Sequence, residues 1–448
     1  MQRRPLATPI RVEDARALAA VRRVDERARA CGGRALLVGG CVRDAVLGAP
    51  VRDLDVEVFD VEREPFESAL RDALGARRVG SDFPVWKLEG LPIDVSLAGP
   101  GVTLEQAAHR RDFTLNALAL DPAEGVVLDA VGGLADLDAR VLRHTGERFD
   151  EDPLRVLRGM QLVARFDLTA APETVARCRT LDPTGLAPER IFEEWRKLLL
   201  RGVHVSRGLA FLRDTGWLRH TPELAALVDC PQDARWHPEG DVWVHTLHCL
   251  DAFAAERVGD PRADLIVGLA VLCHDFGKPA TTREQEGRVR AIAHEQAGVA
   301  LARSFLRRMT RETEILVWVP RLVAEHLAPS QLFRQGSGDA AVRRLAHRAG
   351  SIAWLVRVAA ADHAGRPPLP PRPFEAGDWL LERARALGVL HAAPEPLLQG
   401  RHLVELGLAP GPDFGPLLEA AYEAQLDGVF ATPDGARDWA RRRIAAAD

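Results

Sequence analysis

Two rhythms of apolar and polar positions divide the chain. Residues 13–30 place alanine, leucine and valine at helical spacing among charges, which predicts an amphipathic helix. ALLVGG (35–40) is an apolar run ending on two glycines, a strand feeding a turn, and CVRDAVLG (41–48) returns to helical spacing and stops at Gly48. DLDVEVF (53–59) alternates acidic and apolar residues, the period of a half-buried strand. A helix is predicted near 64–74, then a hairpin of two strands within 85–98 turning at Gly90, Leu91 and Pro92. The first 145 residues therefore read as mixed α and β with a small central sheet.

From about residue 150 the pattern is almost wholly helical. Helices are predicted near 152–166, 172–180, 188–201, 206–215, 243–258, 261–273, 294–309, 312–327, 339–349 and 351–363. PQDARWHPEGDVW (231–243) interrupts this series, and GRPPLPPRPFEAG (365–377) is too proline-rich to be helical. Three more helices are expected after it. The expected division is 1–147, 148–235, 236–366 and 367–448, an α+β head followed by all-α parts.

Composition adds constraints. The 448 residues are 47% hydrophobic and 27% charged, which requires folded cores and excludes a disordered chain. No apolar run is long enough for a membrane span, and MQRRPLATPI lacks the apolar stretch of a signal peptide, so a cytoplasmic protein without a membrane partner is expected. The six cysteines form no CxxC pair, which argues against a zinc knuckle or a disulfide framework. Net charge is −5, so any phosphate-binding surface must be a local basic patch. The only lysines are Lys87, Lys197 and Lys278.

The densest chemistry lies in GGCVRDAVLGAPVRDLDVEVF (39–59). Gly39 and Gly40 allow a phosphate to approach the backbone, and the following helix aims free amides at it. Arg43 adds a fixed cation. Asp53 and Asp55, two apart on a strand, point the same way. With Asp94 on a later strand they form three carboxylates suited to Mg²⁺ and to in-line phosphoryl transfer. Arg110, Arg111 and Asp112 precede a further apolar element. FDEDPLRVLRGMQLVARF (149–166) places Asp152, Arg155 and Arg158 at i, i+3 and i+6 of one helix. Glu189, Arg190, Glu193 and Lys197 line the polar side of 188–200.

Recurring in this order over residues 35–205, these segments resemble the motifs of class II tRNA nucleotidyltransferases, the bacterial CCA-adding enzymes and their poly(A) polymerase relatives. The resemblance implies a polymerase-β-like head, a helical neck, and body and tail helices that hold tRNA. It implies that Asp53 and Asp55 bind catalytic Mg²⁺ and that Gly40, Arg43, Arg111, Asp112 and Arg158 belong to the nucleotide site, with CTP and ATP as substrates. Asp152 and Arg155 should read the incoming base. A carboxylate accepts from the exocyclic amine that C and A share, and a guanidinium donates to the adjacent ring acceptor. The sequence departs from the family between the third carboxylate and RRD. Only LAGPGVTLEQAAH (97–109) stands where a longer flexible loop is usual, and an arginine is missing. The family associates that loop with the switch from C to A. Addition of CC alone, with a separate A-adding partner, therefore stays open beside full CCA addition. Poly(A) synthesis is a further alternative, although no LGRRF-type signature is present.

A second constellation follows. His245, the adjacent His274 and Asp275, His294, His326 and Asp362 occur in the order H…HD…H…H…D on predicted helices. Imidazole and carboxylate together suit Mn²⁺, Ni²⁺, Fe²⁺ or Mg²⁺. The order resembles the HD phosphohydrolase superfamily. That resemblance makes His245, His274, Asp275 and Asp362 the core metal ligands, and His294 and His326 a second metal site or phosphate contacts. Some CCA enzymes carry such a domain with phosphatase and 2′,3′-cyclic phosphodiesterase activity. A hydrolase whose head is a degenerate RNA-binding module is the competing reading. His248 reads as an ordinary core histidine, and Lys278 as a phosphate support or a surface residue. Residues 402–440 resemble the family's C-terminal helices around a GxxPGPxxGxLL pattern, with Gly411 and Gly415 allowing close packing or a turn.

Overall fold

The computed structural model describes residues 1–80, 84–370 and 372–446. The chain forms two compact units, residues 1–186 with 211–217, and residues 187–210 with 218–446. The four-part division is finer than this.

The first unit is built on a mixed sheet of eight strands: β1 (Gln2–Pro5), β2 (Arg34–Val38), β3 (Leu54–Phe59), β4 (Ala76–Val79), β5 (Val85–Leu88), β6 (Ile93–Leu97), β7 (Ala119–Asp121) and β8 (Val126–Asp129), in the order β1-β8-β7-β2-β3-β6-β5-β4. The sheet is wider than the small one expected. β1, β4 and β8 have only four residues each and β7 three, too few to display a period in the sequence.

Alternation along β3 creates two different faces. Leu54, Val56 and Val58 are buried, each contributing roughly 1.5–3 kcal/mol. Helix Ala15–Ala30 packs on β2 and β3, and against helix Arg63–Leu74. Asp14 caps the first of these helices by accepting from the Arg16 amide at 2.9 Å. On the other face Leu36, Val38, Phe59, Ala119 and Leu128 pack with Leu104 and Ala107 of helix Leu104–His109. This face also carries Asp55 and Glu57. The helix begins in a capping box between Thr103 and Gln106, so only residues 98–103 of the predicted short loop connect β6 to it. The buried Asp129 accepts from the amides of Val131, Gly132, Gly133 and Leu134 and holds the next turn of the chain.

The second unit is helical apart from a short hairpin, Thr282–Gln285 with Arg288–Ala291, that helical periodicity did not reveal. Helix Pro261–Cys273 is buried on all sides from Ala263 onward. It is the kind of apolar helix that belongs at the centre of a bundle. Helices Val242–Ala255, Thr313–Glu325 and Ile352–Ala364 pack around it. An additional short helix, Ala328–Arg334, follows His326. After the proline-rich break, of which Pro371 lies outside the described residues, four helices close the chain rather than three: Glu375–Ala386, Gly400–Glu405, Phe414–Leu426 and Pro433–Ala445. The last three share a core of Leu403, Ala421, Phe430, Ala436 and Ala440. Gly411 and Gly415 are not required there by crowding. A methyl group at Gly411 would meet only a carbonyl oxygen at 3.7 Å, and at Gly415 nothing within 4 Å.

Candidate active sites

In the first unit, strand register brings the carboxylates together. β3 and β6 run parallel with Asp55 opposite Asp94, and β5 places Lys87 opposite Asp94 on the other side. Lys87 Nζ lies 2.8 Å from both Asp94 oxygens. Asp53, Asp55 and Asp94 line one cavity of about 490 Å³ with Arg77 and Lys87. Asp53 sits one residue before β3 rather than on it. Desolvation raises the Asp55 carboxyl above its ordinary range. Arg111 opposes that shift, and Asp94 and Asp53 reinforce it. A carboxylate cluster under such mutual repulsion fits a divalent cation.

The glycine turn borders the acids. Gly39 has φ +82°, and a Cβ there would meet Arg111 Nη1 at 3.1 Å and Asp55 Oδ2 at 3.7 Å. A side chain would therefore be both strained and in the way. Gly40 opens helix Gly40–Val46. Arg43 is 4% exposed and its charge is already engaged. It donates to Asp44 at 2.7 Å and to Asn116, and it stacks over Phe166 at 4.4 Å. Arg165 shares Asp44 at 3.0 Å. Arg43 thus braces the turn, and a Cβ on Gly40 would meet its Nη2 at 3.4 Å.

Arg111 donates to Glu57 at 2.8 Å. Glu57, Lys87 and Arg77 are participants that the motif reading left unassigned. The alternation of 53, 55 and 57 was the available signal for the first, and the scarcity of lysine for the second. Asp112 is buried and accepts from Arg158 Nε at 2.6 Å, Asn116 Nδ2 at 3.0 Å and its neighbour's amide at 2.8 Å. Asp112 therefore positions Arg158 rather than facing a ligand itself. Although burial opposes it, Arg158 and these hydrogen bonds hold the Asp112 carboxyl below its ordinary value of 3.8. Its stabilisation is fully present above that value and is lost as pH falls through the lower folded value. Arg158→Ala should destabilise the unit by roughly 2–3 kcal/mol. That is less than the ~3–5 kcal/mol of a fully buried broken pair, because the arginine is partly exposed. Urea titration should show the deficit at pH 7 and a smaller one below pH 4.

Asp152 does not lie on the helix as expected. Helix Leu154–Phe166 begins two residues later, and Asp152 accepts from the Leu154 amide at 3.2 Å in extended backbone. Pro153 forces this, since the residue before proline avoids helical dihedrals. Arg155 is held by the carbonyls of Arg148 at 2.7 Å and Arg110 at 2.6 Å. Asp152, Arg155 and Arg158 all remain half-buried.

In the second unit, the central helix delivers His274 and Asp275 at its C-terminal end. His245, His274, Asp275, His294, His326 and Asp362 converge. His245 Nε2 is 3.0 Å from Asp362 Oδ1, and His274 Nε2 is 3.2 Å from Asp275 Oδ2. His294 Nε2 lies 3.3 Å from both Asp275 Oδ1 and His326 Nε2. The Nδ1 atoms of His274, His294 and His326 each face the carbonyl three residues earlier, at 2.7–2.8 Å. That contact occupies Nδ1 and turns each Nε2 toward the buried cluster, the orientation that metal ligation requires. His274 Nε2 is buried without a hydrogen-bond partner. Burial lowers the affinity of His274 for protons, yet Asp275 lifts it to about 10. His326 is pushed down to about 4 by burial and by the neighbouring His274 and His294.

Asp275, His294, His326 and Asp362 line a cavity of about 680 Å³ together with Trp236, Phe333, Phe374, Arg334 and Arg366. Lys278 is buried, not on the surface, with Nζ 2.7 Å from Asp275 and from Gln232. Gly277 is needed here, because a Cβ would overlap the His294 carbonyl. His248 is exposed, neither ligand nor core. His237 and Glu239, from the stretch read only as an interruption, add a further contact. The Glu239 side chain is enclosed, and its Oε1 accepts from His245 Nδ1 at 2.7 Å and His237 Nδ1 at 2.9 Å.

A carboxylate cluster on adjacent strands beside a glycine turn defines a nucleotidyltransferase-type head, here followed by an extended helical region. The poly(A) polymerase head domain family matches residues 83–143, and the family described as a probable RNA- and SrmB-binding site of polymerase A matches 167–227. The multifunctional CCA protein of Xanthomonas campestris is 38% identical over 364 residues, covering 74% of this chain and 85% of that protein. That of Stenotrophomonas maltophilia is 36% identical over 429 residues, covering 88% and 98%. Among solved structures, the Bacillus stearothermophilus CCA-adding enzyme in complex with CTP superposes with TM-score 0.64 at 22% identity, covering 96% and 97% of the two chains. The Thermotoga maritima CCA-adding enzyme in complex with tRNA gives 0.61 at 18%, covering all of both. The chain belongs to the bacterial CCA-adding and poly(A) polymerase family of nucleotidyltransferases. Among the described residues, no helix is long and apolar enough to cross a membrane.

Proposed function

We propose that this enzyme transfers CMP, then AMP, from CTP and ATP to the 3′ end of tRNA. The carrying observation is the β3–β6 register that sets Asp55 beside Asp94 within one cavity, with Gly39 next to the Asp55 carboxylate. Asp53, Asp55 and Asp94 would hold Mg²⁺, which lowers the cost of forming the attacking alkoxide and of charge on the leaving phosphate. The amides at the start of helix Gly40–Val46, with Lys87 and Arg77, receive the triphosphate. Arg43 keeps that helix in place. Asp112 aims Arg158, and Asp152 with Arg155 reads the base edge. The six cysteines are free thiols, in keeping with a reducing cytoplasm.

The direct test supplies tRNA lacking its last three nucleotides with CTP and ATP. Extension by three residues in the order C, C, A is expected, and no extension with either nucleotide rejects the proposal. The six-residue connection 98–103 favours one second reading, in which growth stops after CC and a separate enzyme adds A. A long A tail on arbitrary RNA would instead identify a poly(A) polymerase.

The second unit reads as an HD-type phosphohydrolase within residues 236–366, flanked by a neck at 148–235 after a head at 1–147, with a tail at 367–448. His245, His274, Asp275 and Asp362 would hold a divalent transition metal or Mg²⁺. His294 and His326 would join Asp275 in a second position or contact phosphate. Such an ion activates water for attack on a phosphoester. Lys278, Arg334 and Arg366 favour an anionic substrate, and Trp236, Phe333 and Phe374 offer flat surfaces for a base. A nucleotide 2′,3′-cyclic phosphate or a damaged RNA end meets both demands.

A further inference from the structure

One more side chain enters the metal-type centre. Cys249 lies one turn after His245 on helix Val242–Ala255, on the same face and fully buried. Its Sγ is 3.3 Å from His245 Nε2. One ligand atom from each of His245, Cys249, His274 and Asp362 falls within a cluster no wider than 4.8 Å. Gly365 makes room for the sulfur, since a Cβ at that position would overlap Sγ.

Several potential ligand atoms of this group crowd a single point. His245 Nδ1 faces two acceptors, Glu239 Oε1 at 2.7 Å and the Gly365 carbonyl at 3.0 Å, so it carries the ring proton. Nε2 then offers a lone pair, yet it faces an Asp362 oxygen at 3.0 Å and the Cys249 sulfur as well. His274 Nε2, buried and without a hydrogen bond, belongs to the same group. A tetrahedral zinc site with bonds of ~2.0–2.3 Å has ligand–ligand edges of roughly 3.3–3.7 Å. The two short separations here lie at or just under that range, as expected where an ion would draw four donors around itself. Asp275, beside His274 at 3.2 Å, also groups with His294 and His326 in an adjacent cluster, so its two oxygens can serve both positions.

We propose that Cys249 is a thiolate ligand of the ion held by His245, His274 and Asp362, and that it makes this position selective for a thiophilic metal such as zinc or cobalt over magnesium. The proposal rests on the phosphohydrolase reading of the pocket. Coordination releases the thiol proton to solvent and forms one metal–sulfur bond. Soft sulfur favours such ions over hard ones.

The test uses the full-length protein, stripped by chelator and titrated with Co²⁺. A thiolate-to-cobalt charge-transfer band in the near ultraviolet is expected. It should persist in Cys31→Ser and vanish in Cys249→Ser, which should bind cobalt on the order of tenfold more weakly or worse. Should Cys249→Ser fail to fold, X-ray absorption of the unaltered zinc-loaded protein reads the same bond, as a sulfur neighbour at ~2.3 Å. An ion whose binding depends on His274 but which shows no sulfur neighbour overturns the role of Cys249 and leaves the phosphohydrolase reading intact. If no ion depends on His274, both fall.

Discussion

Asp55→Ala is expected to lower CMP incorporation into tRNA by about a thousandfold or more, equivalent to roughly 4 kcal/mol of lost transition-state stabilisation. Its thermal midpoint should not fall. Asp55 sits between Asp53 and Asp94, and burial together with their charges raises its pKa, so its ionised form is held against repulsion. Removing that charge relieves the cluster, the trade of stability for activity common at catalytic sites. Incorporation of labelled CMP in single turnover, beside calorimetry, separates the two effects. A variant that kept a tenth of the activity would show that these carboxylates do not hold the catalytic ion. An equally inactive but unfolded variant would show instead that the acids support the sheet.

His274→Ala should abolish hydrolysis of nucleoside 2′,3′-cyclic phosphates, again by about three orders of magnitude, and remove a bound transition metal. It should leave CMP incorporation within about twofold, because its cluster and the carboxylate cluster belong to separate compact units. That independence is expected of sites that share no partner. Metal content by elemental analysis is the decisive companion measurement. Loss of hydrolysis with the metal retained would make His274 a substrate contact rather than a ligand. Loss of both hydrolysis and nucleotide addition would point to general misfolding.

Both clusters were largely legible before any coordinates. The alternation in DLDVEVF identified a strand with its acids on one side, and the adjacent His274–Asp275 pair marked the second site. Less visible were residues with no pattern of their own. Glu239 and His237 come from a proline-bearing loop, where neither period applies, and Cys249 has no cysteine neighbour to suggest a ligand. Lys278 could not be assigned to surface or interior, because a lysine stem packs as well against either. The start of helix Leu154–Phe166 was misplaced because a spacing of three was taken as helical across Pro153.

By itself, then, the chain's order of residues settled which local elements form and which chemical groups they carry, since propensity and periodicity act over a few neighbours. Tertiary structure decided which distant groups meet. The β3–β6 register pairs Asp55 with Asp94 across 39 positions of sequence, as a slip of one residue would turn the acids to the opposite face. Burial decided the rest. It made Arg43 a brace and Asp112 a support for Arg158, because a charge removed from water takes whichever partner the surrounding packing places within reach.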